Sequence, residues 1–217
     1  MKKLYINPLP VRLWHWFNAA CFVLLILTGL QIRYVGQIDL FMSFRTAVQL
    51  HNWAGFAVGG GFLVWLGFYL FSDKITVYHT EPDRAKFFDA AFKQMRYYGW
   101  GIFLGEPNPH HVTPYHKFNP LQSMMYQIVM MLLLPLQFFT GLLLWDVKRF
   151  AGLVDALGGV RNVDTVHVLL FIFFTAFVFM HAYMGSLGPK ASTHYKEMWN
   201  GYEEIEEPGD APTRRAN

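Results

Sequence analysis

Apolar residues gather in four runs, at about 13–34, 50–71, 124–145 and 163–187, each nearly free of charged side chains. At a helical rise of about 1.5 Å per residue, runs of this length match the roughly 30 Å hydrocarbon core of a bilayer. The pattern therefore predicts four membrane-spanning helices. Lys2, Lys3 and Arg12 precede the first run, as basic residues precede a secretory signal. This run is too long for one, however, and has no convincing small-residue cleavage site, so it reads as a retained span.

The one long connection, 72–121, carries a different pattern. Over 81–99, Phe87, Phe88, Ala91, Phe92 and Met95 fall on one helical face, with Arg84, Lys86, Asp89, Lys93 and Arg96 elsewhere. A basic amphipathic helix of this kind lies in the membrane interface. The prolines and glycine of 105–111 then dictate a loop, and 115–122 leads back into the membrane. After a short helix, the end of the chain turns acidic through Glu203, Glu204, Glu206, Glu207 and Asp210. The expected architecture is an all-α integral membrane protein: a four-transmembrane-helix bundle over 1–200, with an interfacial amphipathic helix in the second connection and an acidic flexible tail over 201–217.

Composition supports a membrane protein, with 53% hydrophobic and 18% aromatic residues against 15% charged. The basic residues are unevenly placed. Of the 18 Lys and Arg, all but Arg33, Arg45, Lys148, Arg149 and Arg161 lie in the N-terminus, the second connection or the tail. By the positive-inside rule these three segments, both termini among them, are cytoplasmic and the chain is a multi-pass membrane protein. The net charge of +3 reflects that topology, and nothing suggests nucleic acid.

Four histidines occur inside or at the rims of the apolar runs, where an ionisable side chain is costly and usually functional. His167 and His181 share the fourth run, fourteen residues apart. That spacing puts both rings on nearly one face, roughly 21 Å apart along the axis. Span order then fixes the depth of the others. His15 opens the first span and His51 the second, so depth pairs His15 with His181 near the cytoplasm and His51 with His167 near the periplasm. Two bis-histidine sites at two depths are what two haems need to pass electrons between the membrane surfaces. The single cysteine, Cys21, lies within the first span, so no C-x-x-C-H attachment or iron–sulfur ligand set exists and any haem is non-covalent, of b type.

The histidine pattern resembles the dihaem, cytochrome b561-type subunits of bacterial respiratory complexes. These include the formate dehydrogenase gamma subunit and the cytochrome b subunits of nickel-iron hydrogenase and thiosulfate reductase. His116-Lys117-Phe118-Asn119-Pro120-Leu121-Gln122 is similar to that family's K-[FYW]-N-x-x-Q element before the third span. The resemblance implies two haem b groups, held by His15 with His181 and by His51 with His167. It also implies a menaquinone or ubiquinone site near His181, Asn119 and Gln122. It further implies partners: a periplasmic iron–sulfur or multihaem cytochrome c subunit with its catalytic subunit, besides quinone and membrane lipid.

The chain then carries electrons between that partner and the quinone pool and is not catalytic alone towards the soluble substrate. The alternative is a membrane anchor for a redox complex, with haem in a mainly structural role. Asn119 and Gln122 also suit the cap of the third span. Gly55 and Gly59, on the face of His51, suit either helix packing or clearance for a haem plane. Thr28-Gly29-Leu30 and Thr140-Gly141-Leu142 echo each other at the ends of the first and third spans.

Overall fold

A computed structural model describes residues 2–72, 81–110, 118–187 and 192–205. Lys74, His79, His111, Tyr115, His116, Lys117 and the acidic residues beyond Ile205 lie outside the described residues. The helices are α1 (Leu9–Arg33), α2 (Phe44–Phe71), α3 (Arg84–Gly99), α4 (Pro120–Ile128), α5 (Leu134–Trp145), α6 (Ala151–Ala156), α7 (Val160–Gly185) and α8 (Thr193–Asn200). Four stretches are long and apolar enough to cross a membrane: α1, α2, Pro120–Trp145 and α7. The fold is that of an all-α membrane protein, with one small strand pair added.

Helix ends follow local chemistry. α1 begins at Leu9, four residues before the apolar run, because Pro10 fits a first turn that needs no backbone donor. α2 starts at Phe44, where the Ser43 hydroxyl accepts from the Thr46 amide at 3.1 Å. The third span is interrupted by Pro135, which lacks an N–H and would crowd the carbonyl four residues back. A π turn over Val129–Leu133 widens the helix there, and the Leu134 amide bonds back to Val129. Two consecutive left-handed glycines, Gly158 and Gly159, make the turn into α7.

α3 opens on Asp83, whose carboxylate accepts from the amides of Ala85 and Lys86. Its Ala91 and Gln94 are buried, whereas Phe88, Phe92 and Met95 are exposed.

The chain forms two compact units, Met1–Val48 with Phe171–Asn217 and Gln49–Leu170. In the first, Gln31 is buried and organises the connection after α1. Its amide donates to Asp39, and its carbonyl accepts from the amides of Leu40 and Phe41 at 3.0 and 2.8 Å. The same unit includes the first residues of the tail segment, up to Ile205. Gly201 ends α8 in a left-handed conformation, and Tyr202–Ile205 (β2) pairs antiparallel with Lys2–Tyr5 (β1). Asn7, fully buried, donates to the Glu197 carboxylate at 2.7 Å, and Trp16 donates to the Met198 carbonyl at 2.9 Å. These bonds fasten α8 against the start of α1. In the second unit, Leu143, Val154 and Val163 form a buried cluster with Leu144, Val147 and Phe150 around it.

Candidate functional site

Each unit holds one histidine pair. In the first, His15 from the second turn of α1 faces His181 from the last turns of α7, with ring centroids 6.0 Å apart. Phe177 stacks on His181 at 5.9 Å, and Trp16 meets His15 edge-on at 5.2 Å. Both aromatic contacts restrict ring rotation. In the second unit, His51 from α2 faces His167 from α7, with centroids 6.4 Å apart. The four histidines thus meet in the two combinations that span order and helical rise predict from the sequence.

These separations suit one metal ion between each pair. Two metal–imidazole bonds of roughly 2 Å, plus about 1 Å from each nitrogen to its ring centre, require about 6 Å. Among the described residues no group of three or more His, Cys, Asp or Glu is placed to hold a metal. A two-imidazole donor set is poor for zinc, which takes three or four protein ligands, but it is complete for a haem iron, whose other four positions belong to the macrocycle. An orphaned polar atom also fits the group. Arg12, one turn before His15, donates through its terminal nitrogen to the Trp199 carbonyl, while its Nε is buried without a hydrogen bond. That N–H is available to an anion such as a haem propionate.

The two glycines on the His51 face have different surroundings. A Cβ on Gly59 would come within 2.3 Å of the Phe138 ring, so Gly59 permits close helix packing. A Cβ on Gly55 would meet nothing within 4 Å, leaving open space one turn from His51.

Asn119 and Gln122 form a reciprocal capping box at the start of α4. The Asn119 carbonyl oxygen accepts from the Gln122 amide at 2.9 Å, and the Gln122 side-chain oxygen accepts from the Asn119 amide at 3.0 Å. Asn119 is buried, and its side-chain NH₂ donates to the Tyr98 hydroxyl at 2.9 Å. Burial pushes the pKa of the Tyr98 phenol up, which keeps it protonated. The cap uses the two side-chain oxygens and Tyr98 takes the Asn119 amide nitrogen, which leaves the amide nitrogen of the exposed Gln122 side chain outside both contacts.

Sequence reasoning missed the surroundings of His167. The Thr140 hydroxyl oxygen lies 2.9 Å from its Nδ1, and Gln137 Nε2 lies 3.3 Å from its Nε2. A Cβ on Gly141 would approach the ring to 3.1 Å, so the glycine leaves room for the imidazole edge. The Thr-Gly echo between the first and third spans was the available signal.

Residues 7–201 match the sequence model of the family described as prokaryotic cytochrome b561. The chain is 35% identical over 203 residues, 93% of its length and 75% of the relative's, to the Escherichia coli (strain K12) protein named "Putative cytochrome YdhU". No solved structure matches the chain.

Proposed function

The chain belongs to the prokaryotic cytochrome b561 family, a membership that makes it a membrane haem b electron-transfer protein, and from that premise we propose that it carries electrons across the inner membrane through two haem b groups. One end of this path is a periplasmic redox partner, an iron–sulfur or multihaem cytochrome c subunit with its catalytic subunit. The other is the quinone pool on the cytoplasmic side. The observation that carries the reading is the pair of facing imidazoles in each unit, His15 with His181 and His51 with His167.

Bound haem supplies a one-electron iron couple, which no side chain of this protein offers. The protein's own residues hold and tune it. His15 and His181 would present one nitrogen each to the cytoplasmic-side iron, with Phe177 and Trp16 limiting how the rings turn. His51 and His167 would do the same on the periplasmic side, and the open space at Gly55 leaves room for a macrocycle edge. Arg12 offers its Nε–H to a propionate. The apolar spans exclude water from both sites, which favours the less charged oxidation state of each centre. At the quinone, the Gln122 amide nitrogen is positioned to donate to a carbonyl oxygen, and Asn119 holds the turn that carries it. The exposed Phe88, Phe92 and Met95 suit α3 to lie in the lipid interface beside that site.

The test is haem counting on single variants of the full-length membrane protein, by pyridine haemochrome and redox titration. Wild type should contain two b haems per chain. His51→Ala and His167→Ala should each lose one and the same haem, and His15→Ala and His181→Ala the other. Loss of the same haem in His15→Ala and His51→Ala would refute the pairing. One haem per chain in the wild type would favour the anchor reading instead.

A further inference from the structure

We infer that Thr140 is a positioning residue for the His51–His167 site: it accepts from His167 Nδ1–H and thereby directs the bare Nε2 lone pair at the iron. This rests on the dihaem reading above. Thr140 is buried, and its hydroxyl lies 2.9 and 3.0 Å from the carbonyls of Leu136 and Gln137 in its own helix. A hydroxyl has one proton and two lone pairs. With the proton committed to those carbonyls, as threonines in apolar helices commit it, the oxygen 2.9 Å from Nδ1 can only accept. His167 must then carry its proton on Nδ1.

A second contact is consistent with the same tautomer. Gln137 Nε2, a donor, lies 3.3 Å from His167 Nε2, which therefore has to be the acceptor. Turning the Gln137 amide over would require a proton on Nε2 and leave Thr140 facing Nδ1 with no proton to give. The observed orientation is the self-consistent one, at the expense of a buried Gln137 Oε1 without a hydrogen-bond partner. Gln137 thus marks the lone pair that an iron would take, and its amide would have to move aside for it. Gly141, next to Thr140, clears the imidazole edge. The Thr-Gly step at the end of the third span serves one ring twice, by hydrogen bond and by space.

A hydrogen bond accepted from the far nitrogen makes a ligating imidazole more basic and favours ferric iron. Its loss should shift the ferric-to-ferrous ratio of this haem at fixed ambient potential toward ferrous by about tenfold, equivalent to about 59 mV for a one-electron couple. The experiment compares wild type with Thr140→Val, which keeps the shape without the acceptor, and Thr140→Ser, which keeps the acceptor. Both haems are counted by pyridine haemochrome and titrated optically. Thr140→Val should retain both haems and shift only the one that His167→Ala removes, and Thr140→Ser should titrate as wild type.

Unchanged ratios in Thr140→Val would overturn the assignment, and so would a Thr140→Ser shift as large as that of Thr140→Val. If Thr140→Val loses haem, Thr140→Ala is measured in its place. Selective weakening of the His167 haem supports the role, whereas equal loss of both haems in Thr140→Val and Thr140→Ala marks a packing role and overturns it. A wild type without b haem would refute the dihaem reading itself, and His167→Ala retaining both haems would refute its ligand assignment. Both are visible before any Thr140 variant is compared.

Discussion

Replacing Asn7 by Leu should release α8 from the start of α1 while leaving the spans intact. Asn7 is fully buried, and its side chain gives Glu197 a hydrogen bond of 2.7 Å across 190 positions of sequence. Glu197 is 8% exposed, so water cannot replace the donor. The other carboxylate oxygen faces His194 Nδ1 at 3.2 Å, a contact that helps fully only when the imidazole is charged. Leu fills the volume of Asn, so the cost is electrostatic. Removing a donor from a buried charged acceptor costs about 1.5 to 3 kcal/mol, and at about 1.4 kcal/mol per factor of ten this is a roughly 10- to 150-fold rise in local opening.

The readout is hydrogen–deuterium exchange in detergent. The amides of α8 and Gly201, together with those of Ile6 and Asn7 that bond to the Gly201 carbonyl, should exchange faster by that factor. Amides of α2 should not change. Acceleration of less than about threefold would refute the reasoning. Asn7→Asp sharpens the test by setting two carboxylates side by side. Repulsion between the two carboxylates should make the defect larger at neutral pH than in acid.

Two further outcomes are expected. Gln122→Glu retains the oxygen that accepts from the Asn119 amide, and so the capping box, but removes the amide donor; it should keep both haem spectra and slow haem reduction or oxidation by a quinone analogue about tenfold, the value of one oriented hydrogen bond. Unchanged quinone kinetics would confine Asn119 and Gln122 to the cap. Reporter fusions at Asn217 and Asn108 should report the cytoplasm and one at Gly158 the periplasm; a periplasmic signal at Asn108 would reverse the orientation and move the quinone site to the other face.

The four spans were legible because a bilayer imposes a length on any helix that crosses it. Their ends were less so, since Pro10 and Ser43 extend α1 and α2 by using turn chemistry outside the apolar run. The histidine combinations followed from rise per residue and span order, both insensitive to side-chain detail. What escaped was decided by partners far apart in sequence. Thr140 and His167 are 27 positions apart, and β1 pairs with β2 across nearly the whole chain. Lys2-Lys3 at one end and Glu203-Glu204 at the other are complementary in sequence, but no local pattern says that the two ends meet. The Asn-Pro-Leu-Gln element was legible only as two alternatives. An Asn three residues before a Gln suits a helix cap as well as a ligand, and the geometry spends both side-chain oxygens on the cap.

Because His167 and His181 both belong to α7, its rotational setting is shared by the two sites. Turning it by one residue, about 100°, would carry both imidazoles off their partners together. Contacts that specify the setting are therefore expected near each ring, and both units have them. In the first unit Phe22 of α1 meets Phe174 of α7 with ring centroids 5.6 Å apart, while Phe177 and His181 stack along α7 itself. At His167 the setting is fixed differently, by the Thr140 hydroxyl at Nδ1 and the bare Gly141 backbone at the ring edge. A hydrogen bond is directional where stacking is permissive. His167 is thus held to one ring orientation, whereas the described ring contacts of His181 are the stack on Phe177 and the tilted face of His15. Under the dihaem proposal, two sites of identical ligand type would in this way differ in potential.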